Sequence, residues 1–195
     1  MRIDDPHIIY NPTVLVEPMV LVSSSEFSTN VSTVDFTLPL EYGSFLLKLK
    51  DIVLADDSAD CQLRVSHDGG ATFNVGSNYA WCQELIFAGG AASNPGDASD
   101  TRIPFNSITA GNQLGNAATE GLCADLYLYH CNNPSNDARF HCVFHSYYLT
   151  EGTLSCIVLG DARHTGTNTT VSAIRILSSG AGGIDRGNLY LWGIN

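Results

Sequence analysis

The chain has 195 residues and a formal net charge of −11, with 9 Lys and Arg against 20 Asp and Glu. Lys48 and Lys50 are its only lysines, which leaves no basic face for a polyanion and excludes nucleic acid as an expected partner. Charged residues make up 15% of the chain, against about 25% in ordinary soluble domains, so a neutral-polar surface suited to assembly is expected.

The start carries Pro6, Pro12 and Pro18 among apolar residues. Proline withholds a ladder donor, so residues 1–24 are expected to form an extended N-terminal arm or edge segment. The opening MRIDDPHIIY lacks a basic stretch followed by an apolar run, and no segment approaches the roughly 20 apolar residues of a membrane span. Neither a secretory signal nor a membrane partner is expected. Residues 25–195 are expected to form a single domain. Within it, Val34, Phe36 and Leu38 alternate with Thr33, Asp35 and Thr37, the pattern of a half-buried strand. Residues 45–54 and 61–66 read as two more strands, with Cys61, Leu63 and Val65 on one face and Gln62, Arg64 and Ser66 on the other. Asp68-Gly69-Gly70 tolerates positive φ, so a tight hairpin is expected there, with residues 79–87 as the returning strand.

Residues 88–121 are dominated by Gly, Ala, Ser, Asn and Asp, with Ile103, Phe105, Ile108 and Leu114 as apolar anchors. A long loop excursion, functional or held by a partner, is expected. Strand patterns return at residues 122–131, 139–149, 153–159, 170–177 and 188–194. Turn residues separate them at 132–137, 151–152, 160–168 and 178–187. No run shows a 3.6-residue apolar stripe with caps at both ends. The expected fold is therefore all-β, an antiparallel two-sheet sandwich of jelly-roll type. Its core should hold Val34, Phe36, Leu38, Leu47, Leu49, Leu63, Val65, Phe140, Phe144, Leu189 and Leu191.

Six cysteines stand at 61, 82, 123, 131, 142 and 156. Cys61, Cys131, Cys142 and Cys156 fall in strand-like runs, so reduced, mostly buried thiols are expected. His130-Cys131 and His141-Cys142-x-x-His145 are the one grouping with metal-ligand chemistry. On a strand His141 and His145 face away from Cys142, so no shared metal site is expected. Asp56, Asp57 and Asp60, and again Asp97 and Asp100, are oxygen donors without the spacing of a calcium loop, and read as turn formers. No serine occupies a Gly-x-Ser-x-Gly turn and no matched acid, base and nucleophile set is present, so neither catalysis nor a cofactor is expected. Tyr127, Tyr129, Tyr147, Tyr148, Tyr190 and Trp192 stand at alternate or adjacent strand positions, which puts some on the outer face, where aromatic side chains favour protein or sugar contacts.

The segment YGSFLLKLKDIVLADDSADCQLRVSHDGGATF, the following Tyr79-Ala80 and the ending SAIRILSSGAGGIDRGNLYLWGIN together resemble a widespread group of tailed-bacteriophage virion and prophage proteins. In that group a strand starting near a Tyr leads to one closed by Ser-x-Asp-Gly-Gly, and the chain finishes with a glycine loop and a Leu-Tyr-Gly-Ile-like strand. Here the ending is Leu191-Trp192-Gly193-Ile194, with tryptophan in place of the usual tyrosine. The resemblance covers residues 33–87 and 170–195. It implies a non-enzymatic β-sandwich module of a phage particle, assembled in the bacterial host cytoplasm. The expected role is a head decoration or cement protein that stabilises the capsid, with capsid or tail proteins as partners. A homo-oligomer, a trimer, is expected, held by Ile8, Ile9, Val14 and Val16 of the arm and by Ile103 and Phe105 of the long loop. The alternative is a receptor-binding module of a tail or head fibre, whose loop and exposed aromatics contact a host glycan.

Overall fold

The computed structural model describes residues 19–132, 139–166 and 169–194. Among these residues the chain forms strands and no helix. The first five strands are β1 (Val20–Phe27), β2 (Thr33–Thr37), β3 (Ser44–Leu54), β4 (Cys61–Ser66) and β5 (Tyr79–Phe87). Three short ones follow, β6 (Ala92–Ser93), β7 (Gly96–Asp100) and β8 (Ile103–Pro104). Then come β9 (Leu122–Tyr129), β10 (His141–Leu149), β11 (Ser155–His164), β12 (Ala173–Ser178) and β13 (Ile184–Ile194). They make two antiparallel sheets packed face to face. The larger has the order β1-β13-β3-β9-β10-β11-β5-β6, with β7 also paired to β5, and the smaller is β2-β12-β4-β8.

Period-2 alternation places the core between the sheets, and every residue expected there from the sequence is buried. Cys61, Cys131, Cys142 and Cys156 are buried with it, Cys82 is exposed, and none of the six forms a disulfide. Burial pushes the Cys61 and Cys131 thiols up to about 12, which suppresses the reactive thiolate.

The glycine turn after β4 differs from expectation. Gly69 and Gly70 do adopt positive φ, 74° and 92°, but no hairpin forms, because β4 lies in the small sheet and β5 in the large one. Asp68 instead gathers bonds from Thr72 Oγ1 at 2.5 Å, Thr72 N at 2.9 Å and Ser66 Oγ at 2.7 Å. The Tyr79 hydroxyl, accepting from Val65 N at 3.0 Å and donating to the Asn74 carbonyl at 3.1 Å, ties the corner between the sheets.

At the N-terminal side, residues 20–24, counted with the arm, belong to β1, which pairs antiparallel with β13 from Val20 opposite Gly193 to Phe27 opposite Gly187. They follow the last of the prolines, so their backbone donors are free to pair. Ile8, Ile9, Val14 and Val16 lie outside the described residues. Residues 160–164, expected in a turn, continue β11. Gly160 reads as a breaker but serves as space: the Phe144 ring occupies the place a Cβ would take there.

The excursion at residues 88–121 is the largest correction. Ile103 and Phe105, assigned to contacts with a neighbouring subunit, are wholly buried in the chain's own core, together with Leu114. The reason is the mismatch of the two sheets. The small sheet cannot cover the inner faces of β10, β11 and β5, and the excursion fills that space. Phe105 stands edge-on to Phe144 at 5.6 Å between centroids. The Cys61 amide donates to Asn106 Oδ1 at 2.7 Å, the Ser107 amide to the Tyr148 hydroxyl at 2.9 Å, and Gln83 Nε2 to the Pro104 carbonyl at 2.7 Å. Buried polar groups with such partners cost little and fix one arrangement.

Candidate functional site: the outer face of the large sheet

Alternation that sends Leu126, Leu128, Cys142 and Phe144 inward sends their neighbours out, and the strand register arranges these in rows across the sheet. One row runs Leu46, Tyr127, Val143, Asp161 and Cys82 over β3, β9, β10, β11 and β5. The next runs Lys48, Asp125, His145, Leu159 and Glu84. Flanking these are Cys123, Tyr147, Ile157 and Ile86 on one side, and Tyr129, His141, Arg163 and Ala80 on the other. The middle of the face is apolar and open: Tyr147 is 55% exposed, Ile157 49% and Leu159 47%.

Near β3 the face carries a hollow of about 330 Å³, lined by Lys48, Lys50, Cys123, Asp125, Tyr147 and Tyr190. Its shape follows from an irregularity in β3 between Leu49 and Ile52, where Asp51 adopts φ 53°, a left-handed conformation that a non-glycine residue rarely takes. Both lysines of the chain therefore stand beside two tyrosines. Lys48 Nζ donates to Asp125 at 2.9 and 3.0 Å, His145 Nε2 lies 3.5 Å from the same carboxylate, and the Tyr190 hydroxyl donates to Glu26 at 2.8 Å. Across the face, a second groove of about 440 Å³ is lined by Asn94 and by residues of β5 and β11, among them Glu84, Leu159 and Asp161.

The sequence-predicted groups fall as follows. His141 and His145 point outward and Cys142 inward, as strand geometry requires. His141 Nε2 is 2.6 Å from Asp161 Oδ2, and His130 is exposed just past β9 at φ 59°. Among the described residues no three His, Cys, Asp or Glu side chains converge as a metal site. The aspartates are drawn into separate tasks. Asp56 caps Gly182 N at 2.5 Å, Asp97 accepts from Ser99 N at 2.7 Å, and Asp100 accepts from Trp81 Nε1 at 2.9 Å. Asp60 is buried, and that desolvation raises its carboxyl above the usual range, offset by Gln113 at 2.9 Å and by Arg102 at 3.6 Å. Arg102 also reaches Asp100 at 3.3 Å, so a guanidinium occupies the space between the two carboxylates.

Tyr127 and Tyr129 stack on the outer face at 6.5 Å, with Tyr147, Tyr190 and Trp192 also on that side, while Tyr148 turns inward and is buried. Ile86, Val143, Ile157 and Leu159 were not singled out from the sequence. Their signal is an unbroken apolar run, as in Cys156-Ile157-Val158-Leu159, which marks a strand covered on both faces. Comparison with protein-family models, curated proteins and solved structures finds no match.

Proposed function

We propose that this chain is a non-enzymatic structural protein of a tailed-phage virion, a head decoration module that stabilises the capsid as a homo-oligomer. The observation that carries the reading is where the two resembling segments lie. Residues 33–87 and 170–195 are remote in sequence, yet β3 and β13 are neighbours in the large sheet, Leu47 opposite Leu191, and β4 and β12 are neighbours in the small sheet, Leu63 opposite Ile176. With β2 beside β12, they make a two-layer unit. β9, β10 and β11, from the residues between the two segments, enter between β3 and β5 and widen the large sheet. A motif set whose distant parts meet in space is what a shared structural frame requires.

The test is to purify particles from the lysed host, identify this chain in them by mass spectrometry and locate it in a density map. Copies bound on the outside of the head are expected. Absence from particles washed free of soluble protein would sink the reading. A second reading, a fibre module that contacts a host glycan, is favoured by the hollow beside Lys48, where Tyr147 and Tyr190 offer ring faces and Lys48 and Asp125 offer hydrogen-bonding groups. A glycan-array signal lost on Tyr147→Ala would move the assignment there.

A further inference from the structure

At the end of β5, within β10 and in the first half of β11 the sequence is apolar on both faces, through Leu85-Ile86-Phe87, Val143-Phe144 and Cys156-Ile157-Val158-Leu159. The chain itself covers one face only, and Ile86, Val143, Tyr147, Ile157 and Leu159 stay exposed on the other as one continuous patch. Contiguous patches of this kind mark interaction surfaces. The small sheet shows no such need. On its outer side Arg175 pairs with Asp35 through two bonds of 2.7 Å and lies 4.0 Å from the Phe73 ring.

We propose that a second copy of this chain covers the patch, packed sheet on sheet about a two-fold axis that runs along β10. The order of charges across the face selects this occupant and this axis. Lys48 and Lys50 stand on β3 and Glu84 on β5, with Asp125 and His145 and then the apolar residues of β10 and β11 between them. Rotation about β10 carries β3 onto β5 and β9 onto β11, each residue keeping its row. Lys48 of one copy then faces Glu84 of the other. The Tyr127 hydroxyl faces Asp161, and the Tyr129 ring faces the Arg163 guanidinium, a cation–π pairing. Val143, His145 and Tyr147 meet their own counterparts on the axis, as an isologous contact demands. Asp125, held by Lys48 and His145 of its own chain, faces Leu159 and needs no further partner. The twist of the two sheets makes these nearest neighbours about 10 Å apart between backbones rather than strict pairs. Five strands from β3 to β5 at about 4.8 Å and four rows at about 6.7 Å make a face of about 24 by 27 Å, on the order of 650 Å² per copy, somewhat below the roughly 800 Å² per partner of a standard interface.

This inference supplies a contact for the homo-oligomer of the virion reading but is tested apart from it, on the isolated full chain, so that its failure and the absence of the chain from particles are separate outcomes. Sedimentation over a concentration series should show a monomer–dimer equilibrium. Leu159→Glu should weaken it by about a hundredfold, since it buries a charge in the apolar centre, while leaving the thermal melt of the monomer in place. Lys48→Glu and Glu84→Lys should each weaken it by about tenfold, and the double variant should recover most of that loss, because the two residues face one another only across the axis. A chain that stays monomeric at all concentrations, or a dimer indifferent to Leu159→Glu, overturns the proposal. Single charge variants that weaken association without recovery in the double variant overturn the axis.

Discussion

His164 shows what burial does to one side chain. It ends β11, is 2% exposed, and lies tilted against His67 at 5.0 Å and edge-on to Tyr79 at 5.2 Å. Asn74 Nδ2 lies 2.9 Å from its Nε2; with the amide donating, that nitrogen accepts, as in a neutral imidazole. Burial first, then His67 and Arg139, hold its pKa down to about 4 from 6.5. The sign for stability follows directly. Between those two values the unfolded chain binds a proton that the folded chain refuses, so stability falls as pH drops through the window and levels off below it. Denaturant melts from pH 8 to pH 4 should show this slope. In His164→Gln, which retains an acceptor for Asn74, the curve should start lower and run flatter. An unchanged slope in the variant would assign the pH dependence to other groups.

At the scale of elements, residues 88–121 act as a wedge that substitutes for missing strands of the small sheet. Phe105 is one of its fully buried anchors. Its amide donates to the Cys61 carbonyl at 2.9 Å, its carbonyl accepts from Ser146 Oγ, and its ring packs on Phe144 over Gly160. Phe105→Ala should therefore cost about 3–5 kcal/mol, the range for emptying a fully buried aromatic site, read as a shifted denaturation midpoint with one cooperative transition. A cost below about 1 kcal/mol would mean that the excursion is peripheral. β2, β3, β4, β5, β9, β10 and β12 were legible in the sequence because alternation is local, and Leu63 and Val65 declare their face without help from the rest of the chain. β1 was legible only as an edge segment, since Ser23, Ser24 and Ser25 carry little strand preference and its partner β13 lies far along the chain. The wedge was not legible either, because Ile103 and Phe105 announce burial without saying in which subunit. For the outer face, alternation told which residues leave the core but not whether something else covers them.

At the scale of the whole molecule, the sandwich has one face that serves stability and one that serves contact, and adjacent residues of a single strand separate the two. On β10, Phe144 lies 2% exposed against Phe105, while Val143, next to it, is 41% exposed on the outer face. Phe144→Ala removes a ring from between the sheets and should cost about 3–5 kcal/mol. Val143→Ser removes methyl groups that touch solvent in the single chain and should change monomer stability by no more than about 0.5 kcal/mol. Its effect should appear instead in association, since Val143 meets its counterpart on the proposed axis, where an apolar contact is exchanged for a desolvated hydroxyl. The measurement is a pair of denaturation curves, at dilute and concentrated protein. Wild type should gain stability with concentration by mass action, because the dimer draws on the folded state alone. Val143→Ser should lose most of that gain and keep the dilute midpoint. Phe144→Ala should lower both curves together. If Val143→Ser instead lowered the dilute midpoint as far as Phe144→Ala does, the two faces would not be separable and the outer residues would belong to the fold itself.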